Sequence, residues 1–349
     1  MKNQYVADIG DYGKYSLLRA FEDAGIDIGI NWYLTKDDNS NDGSIVKYLC
    51  DTNFRKFCPS VYDSLKVIYE HKERNVAAIK KSDIFHSVQY YDEYIDYKDR
   101  RNWHEKALKE LEKAELIFLD PDNGLLVNDK SRKRDSEKYI LLDEVIDYFE
   151  RGQNVVYYCH RGRRTTEQWE EYKRAVFRKV PYAYPLVLTY HRGTQRSYVF
   201  LIHQKDVERY FQIVKAHLKD WDSSFTYENV DMCMLSDISN GLKVFLDQTY
   251  VSDRSMSEFL MDNGLAIKNY ARLGSSLPLN VGAELKHIEN ADFERCCALM
   301  TMILREDHFD NGSYERRYKE GNVTKIMSRM LSEMEYLGRG GGNRWIDKT

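Results

Sequence analysis

Residues 116–124 have the sequence Leu-Ile-Phe-Leu-Asp-Pro-Asp-Asn-Gly, an apolar run that ends in an acid and a turn. A short, continuous apolar run is typical of a parallel strand that is buried on both faces of a sheet. Ligands of open α/β sheets bind beyond the carboxyl ends of such strands. We therefore predict a central strand at 116–120 and a functional site centred on the turn 120–124. The alternative for the turn is local: Asp and Asn bond to their own backbone, and Gly supplies a positive φ.

Strands and helices alternate on both sides of this central strand. The periodicity predicts strands at 29–35, 75–79 and 154–160, and helices at 61–69, 103–114 and 140–149. An opening helix has Asp11 as its N-cap, and a later one begins at Thr165 or Thr166. The runs 185–190 and 197–202 are close enough to form an antiparallel hairpin. The predicted fold class is α/β, with a Rossmann-type, mostly parallel sheet that ends in this hairpin.

A smaller, mainly helical domain is predicted to follow the sheet. Asp292 begins a long amphipathic helix in this region, and Asn311-Gly312 interrupts the helical pattern. A chain of 349 residues is long for one domain, which supports the division. The predicted segments are 1–227 for the Rossmann-type domain, 228–252 for a linker, 253–337 for the helical domain and 338–349 for a flexible tail.

Composition limits the function classes. The chain is 42% hydrophobic and 31% charged, with a formal net charge of -4, so nucleic acid binding would need a local basic face rather than overall charge. It has no apolar run of about 18 residues and no apolar signal core near Met1, so we expect a cytoplasmic protein without a membrane partner. Its six cysteines form no Cys-x-x-Cys pair, which favours free thiols over a structural zinc site.

Four polar clusters follow predicted strands, at 37–43, 120–124, 160–164 and 191–196. Acids in the first two clusters suit a divalent cation, Mg²⁺ or Mn²⁺, which takes oxygen ligands. Arginines in the last two suit phosphate groups, although each could be only a solvated basic loop. A helix start near Gly10 and Gly13 also favours anions, but capping and a tight turn explain it equally well.

These patterns nominate candidate residues. The candidate catalytic residues are Asp120, Asp122, Asn123 and His160, of which Asp120 and Asp122 are also the candidate metal ligands. The candidate substrate-binding residues are Asp11, Lys14, Arg161, Arg163, His191 and Arg192. The candidate cofactor-binding residues are Asp38, Asp42 and Gly43.

The order of these motifs resembles the Rossmann-fold methyltransferases that methylate the N6 amine of an adenine in large-subunit ribosomal RNA, over about residues 5–225. Residues 116–121 resemble the strand that carries the Asp-Pro-Pro-Tyr motif of that family. The resemblance implies that Asp120 and the carbonyl of Pro121 hold the target amine and that S-adenosylmethionine binds after the first strand. Two departures stand out: 36–43 replaces a glycine-rich loop, and Asp122-Asn123 replaces the proline and the base-stacking tyrosine.

The C-terminal region resembles a small helical bacterial domain without assigned function, through the motifs at 259–264 and 298–309 and through Gly312. Three hypotheses about function follow. The first is an enzyme acting on nucleic acid or a nucleotide, methyltransferase-like and dependent on S-adenosylmethionine. The second is a metal-dependent nuclease or phosphohydrolase, of the kind used in phage defence. The third is a non-catalytic binding protein on a degenerate enzyme fold, with the helical domain as its partner surface.

Overall fold

A computed structural model describes residues 1–38, 40, 42–127, 134–276 and 279–338. Within them the strands are β1 (Ile28–Asn31), β2 (Val88–Tyr91), β3 (Leu116–Leu119), β4 (Leu125–Leu126), β5 (Ile140–Leu141), β6 (Asn154–Cys159), β7 (Tyr184–Tyr190), β8 (Arg196–Ile202) and β9 (Phe225–Glu228). The α-helices of the first two thirds are α1 (Ile9–Asp23), α2 (Pro59–Glu70), α3 (Val76–Lys81), α4 (Arg100–Glu110), α5 (Leu142–Glu150), α6 (Thr166–Arg174) and α7 (Val207–Asp220).

The last third of the described chain is helical, as predicted. Its helices are α8 (Met234–Leu246), α9 (Asp253–Asp262), α10 (Val281–Glu284), α11 (Phe293–Asp307), α12 (Ser313–Lys319) and α13 (Asn322–Gly338). Short 3-10 helices cover Asn3–Tyr5, Lys47–Cys50, Arg134–Lys138, Gln204–Asp206, Asp222–Ser224, Tyr270–Leu273 and Leu285–Asn290. Of the predicted tail, residues 339–349 lie outside the described residues.

Seven of these strands form one sheet in the order β2-β1-β3-β6-β8-β7-β9. The first four are parallel, and β8 runs antiparallel to both β6 and β7. The mixed α/β class and the terminal hairpin are therefore confirmed, with a second reversed strand, β9, at the edge beside β7. The chain places β2 on one side of β1 and β3 on the other, so a topological switch point lies between β1 and β3.

Two local predictions are wrong for reasons of capping. Asp8, not Asp11, is the N-cap of α1, because its side chain accepts a hydrogen bond from the N–H of Gly10. Residues 75–79 are not a strand: Asn75 caps α3 by accepting from the N–H of Ala78. The strand that follows α3 in the chain is β2. Its first three residues are only half-buried, so the apolar signal of this strand in the sequence is weak.

Helices cover both faces of the sheet. On one face, α1, α2 and α7 pack over Ile30, Phe118 and Phe200 in one apolar cluster. On the other face, a second cluster continues without interruption from Ile117 and Val155 into the C-terminal helices.

The C-terminal helices are joined to the sheet by a buried ionic network as well as by apolar contacts. His203, which follows β8, is fully buried, and its Nδ1 lies 2.8 Å from an oxygen of Glu294 on α11. Arg272 reaches the same carboxylate at 2.9 Å. The predicted linker 228–252 contains α8, which buries Leu235 and two further apolar side chains. The division into domains remains a prediction.

Two further observations concern the chain as a whole. Among the described residues, none of the helices combines the length and the apolar character that crossing a membrane requires. All six cysteines have free thiols in the structure, and burial raises the pKa of Cys159 and Cys297 far above the usual range.

Candidate active-site cleft at the carboxyl edge of the sheet

A cleft of about 750 Å³ lies at the carboxyl ends of the parallel strands. It is bounded by the start of α1, the loop after β1, the turn after β3, the loop after β6 and the β7–β8 hairpin. Its lining residues are Met1, Tyr5, Asp8, Gly10, Asp11, Lys14, 42–45, 120–123, Tyr158, 160–162, 194–196 and Tyr198. All four polar clusters predicted from the sequence therefore contribute to one cleft.

The floor of the cleft is an ion triad that joins α1 to the end of β3. The ammonium group of Lys14 lies 2.6 Å from Asp11 and 2.7 Å from Asp120. All three side chains are almost completely buried. The backbone N–H of Asp120 also donates to the carbonyl of Asn31 at 3.0 Å, which continues the β1–β3 ladder by one residue. Asp120 is thus held rigidly through both its backbone and its side chain.

The triad shifts the titration of its members. Burial raises the pKa of Asp11 to about 6, although the Lys14 ammonium group opposes the shift. The pKa of Lys14 lies well above its usual value; burial would lower it, but the carboxylates of Asp11 and Asp120 outweigh that effect. Lys14 is therefore a permanent cation, and Asp11 is an acid that titrates near neutral pH.

The rest of the turn after β3 is anchored to its surroundings. Asp122 is paired with the amino group of Met1 at 2.8 Å and accepts a hydrogen bond from the hydroxyl of Thr35. The N–H of Asn123 donates to the carbonyl of Lys138. Gly124 has a φ of +94°, and a Cβ atom there would lie 2.7 Å from the Cβ of Cys159. The positive φ expected for Gly124 is therefore confirmed, whereas the acids of the turn contact groups far away along the chain rather than their own backbone.

A second ion pair lines one wall of the cleft. Asp8, the α1 cap, lies 3.0 Å from the guanidinium of Arg196, the first residue of β8. Gly10 leaves room for this guanidinium, because a Cβ atom there would overlap its Nε. Arg196 belongs to the basic cluster 191–196 that the sequence pattern assigns to phosphate groups, whereas Asp8 is not among the candidate residues. The signal available was the cap motif before α1 and an arginine at the start of the hairpin's second strand.

His160 enters the cleft from the end of β6. Burial lowers its pKa below the usual value, and the nearby cations Arg164 and Arg196 lower it further. Its ring makes no hydrogen bond with any other residue that the structure describes. His160 is therefore a neutral imidazole at pH 7 whose nitrogens are available to a ligand.

The predicted phosphate-binding residues divide into two groups. Arg161 lines the cleft and donates to the hydroxyl of Thr166, and Arg163 is exposed beside it but not part of the lining. His191 and Arg192 are directed elsewhere, to the hydroxyls of Thr226 and Ser224 respectively. These two residues do not line the cleft.

Only a part of the predicted cofactor-binding loop after β1 lines the cleft. Asp42 and Gly43 line the cleft, whereas Asp38 is bound by the ammonium group of Lys2 and does not. That hydrogen bond from Lys2 holds the pKa of Asp38 well below its usual range. Gly43 has a φ of +77°, and a Cβ atom there would lie 2.8 Å from the carbonyl oxygen of Gln4. The loop therefore passes close over the N-terminal segment.

The two candidate metal ligands are each engaged by a cation of the protein. Lys14 holds Asp120, and the amino group of Met1 holds Asp122. Over the described ranges of the chain, no group of three or more His, Cys, Asp or Glu side chains is arranged to hold a metal ion. Ammonium groups stand where the metal hypothesis places a divalent ion.

Comparison with known proteins adds one match. Residues 270–335 match the model of a family described as "Family of unknown function (DUF6508)". The match lies inside the region 253–337, which the sequence predicts to be a helical domain, and does not include the cleft. No curated protein matches the chain.

Proposed function

We propose that the cleft binds S-adenosylmethionine and that the protein transfers its methyl group to an amine on a base of a nucleic acid or nucleotide. The observation that carries this proposal is the position of Asp120 and Pro121. They follow a buried central strand at the switch point of the sheet, and they line a cleft large enough for a nucleoside cofactor. The resemblance of residues 5–225 to adenine-N6 methyltransferases supports the same assignment.

The charge of the cleft supports the binding of a cationic methyl donor. Five acidic side chains line it against three basic ones, an excess of two negative charges that the amino group of Met1 reduces to one. The acids are Asp8, Asp11, Asp42, Asp120 and Asp122, and the bases are Lys14, Arg161 and Arg196.

The residues present fit the cofactor. Asp42 and Gly43, in the loop after β1, would hold its nucleoside part, and Arg196 lies where it can pair with a carboxylate. When bound, S-adenosylmethionine supplies an electrophilic methyl group on a positively charged sulfur. Lys14 occupies one oxygen of Asp120, which leaves the other to accept a hydrogen bond from the acceptor amine. The carbonyl of Pro121 would accept the second.

Proton transfer falls to His160. An amine that gains a methyl group becomes cationic and must lose a proton. The lowered pKa of His160 keeps its ring neutral at pH 7, so that it can accept this proton. Asp120, which is paired with Lys14, orients the amine.

Two measurements test the proposal. Isothermal titration calorimetry should show binding of S-adenosylmethionine, and label from a methyl-tritiated donor should pass to single-stranded RNA, DNA or nucleotides. Asp120→Asn should retain cofactor binding and lose roughly 100-fold or more in kcat. Asp83→Asn, which changes an exposed acid outside the cleft, is the matched control. The proposal is refuted if the wild type shows no binding of S-adenosylmethionine and no transfer of label.

The same experiments separate the other two hypotheses. A metal-dependent nuclease or phosphohydrolase would be active only with Mg²⁺ or Mn²⁺ and would stop in chelator, whereas the proposed methyl transfer continues in chelator. A binding protein on a degenerate fold would show no turnover and would retain a protein partner after Asp120→Asn.

A further inference from the structure

Three side chains form a row across neighbouring strands where the cleft begins. The register that pairs Leu119 with Tyr157 places Tyr158, the next residue of β6, beside Asp120. The antiparallel register of β6 and β8 pairs Tyr158 directly with Tyr198. Asp120, Tyr158 and Tyr198 all line the cleft. Two aromatic rings therefore lie next to the carboxylate that would hold the acceptor amine.

The hydroxyl of Tyr198 is buried and makes no hydrogen bond within the described chain. A buried polar group without a partner is destabilising unless a ligand or water supplies one. Because Tyr198 lines the cleft, a ligand bound there can provide the missing acceptor. Burial raises the pKa of Tyr198 well above its usual value, although the nearby cations Arg196 and Lys14 oppose this shift. The hydroxyl therefore keeps its proton and can donate a hydrogen bond.

Tyr158 offers a ring rather than a buried hydroxyl. It is partly exposed, and its ring lies 6.3 Å from that of Tyr198 and 6.3 Å from that of His160, centroid to centroid. Neither neighbour is stacked parallel on it, since the interplanar angles are 62° and 46°. A face of Tyr158 is thus not covered by a stacked aromatic side chain.

We propose that Tyr158 and Tyr198 recognise the ring of the acceptor. A flat heteroaromatic ring lies against Tyr158, its amine is held by Asp120, and a ring nitrogen next to that amine accepts a hydrogen bond from Tyr198. Adenine and cytosine have this pairing of amine and neighbouring acceptor. Tyr158 then supplies, from the next strand, the stacking surface that the turn 120–124 lacks. The role in catalysis rests on the proposed function, whereas ring recognition is testable by itself.

The test uses the full chain and 2-aminopurine riboside, whose fluorescence falls on stacking and whose amine has ring nitrogens beside it. Tyr158→Leu should weaken its binding about fivefold to 150-fold through loss of stacking, and Tyr158→Phe should bind normally. Tyr198→Phe should weaken binding about tenfold through loss of one hydrogen bond. Tyr157→Phe is the control, because it removes a buried, unpartnered hydroxyl on the opposite face of the same sheet.

Unfolding in urea distinguishes recognition from a structural role. Tyr198→Phe and Tyr157→Phe should leave the free energy of unfolding equal or slightly increased, while only Tyr198→Phe weakens binding. Binding unchanged in both Tyr158→Leu and Tyr198→Phe, or no binding of the probe by the wild type, would overturn the inference. Titration with S-adenosylhomocysteine runs in parallel: its failure to bind would count against the proposed function, while loss of probe binding in the tyrosine variants would still support ring recognition.

Discussion

Asp11→Asn should change the way in which stability depends on pH. Asp11 is buried in α1, where it accepts hydrogen bonds from the backbone N–H of Ala7 and is paired with Lys14. Burial raises its pKa from the ordinary value of 3.8 to about 6. Asparagine has nearly the same shape and cannot ionise, so it represents the neutral form of the acid.

The sign and size of the effect follow from proton linkage. Between pH 3.8 and about 6, folded wild type holds a proton on Asp11 that the unfolded chain has released, so stability falls as pH rises through this window. At about 1.36 kcal/mol per pH unit, the full effect is about 3 kcal/mol. The free energy of unfolding of Asp11→Asn, relative to wild type, should therefore rise by about 2.5 kcal/mol between pH 4 and pH 7, because a part of the full effect lies below pH 4.

Urea denaturation followed by circular dichroism at several pH values measures this difference. Asp83→Asn is the control, and its difference from wild type should vary by less than about 0.5 kcal/mol, as expected for an exposed side chain. A difference for Asp11→Asn that stays constant across the window would refute the reasoning. A difference that falls as pH rises would mean that Lys14 outweighs burial, and that the pKa of Asp11 is lowered instead.

Three further substitutions probe the fold around the cleft. Lys14→Met leaves two buried carboxylates without their cation and should lower the free energy of unfolding by about 3–5 kcal/mol; a loss below about 1 kcal/mol would show that they find other partners. Gly124→Ala should destabilise by about 1–3 kcal/mol more than Gly321→Ala in urea, because both have a positive φ but only Gly124 is closely packed; equal losses would contradict this. Glu294→Gln should cost about 2–4 kcal/mol and speed amide hydrogen exchange in α11, since it removes the buried negative charge that pairs with Arg272 beside His203; exchange that is unchanged there would show that the apolar core alone holds the helices.

Local patterns in the sequence were sufficient for the strongest elements of the fold. The apolar runs at 116–119 and 154–159 are strands because burial on both faces leaves a continuous apolar signal. The β7–β8 hairpin follows from two such runs with a short polar connection. The weak signals failed: β2 lies at the sheet edge and is only half-buried, and six residues at 76–81 are too few to show a helical period.

The sequence by itself also determined that the polar clusters meet at one edge of the sheet, because every parallel strand delivers its following loop to the same edge. It could not determine which loop residues turn inward. His191 and Arg192 were selected but face away, and Asp38 is held by Lys2. Those outcomes depend on partners far away along the chain.

The pairings within the cleft were decided only by the tertiary structure. Lys14 and Asp120 are 106 residues apart, and Asp8 and Arg196 are 188 residues apart, yet each pair is in direct contact. The same holds for Tyr158 and Tyr198, which strand register alone brings beside Asp120. Sequence pattern carries local conformation and burial, whereas charge pairing, and with it the pKa values and chemistry of the cleft, depends on distances that exist only after the strands have assembled.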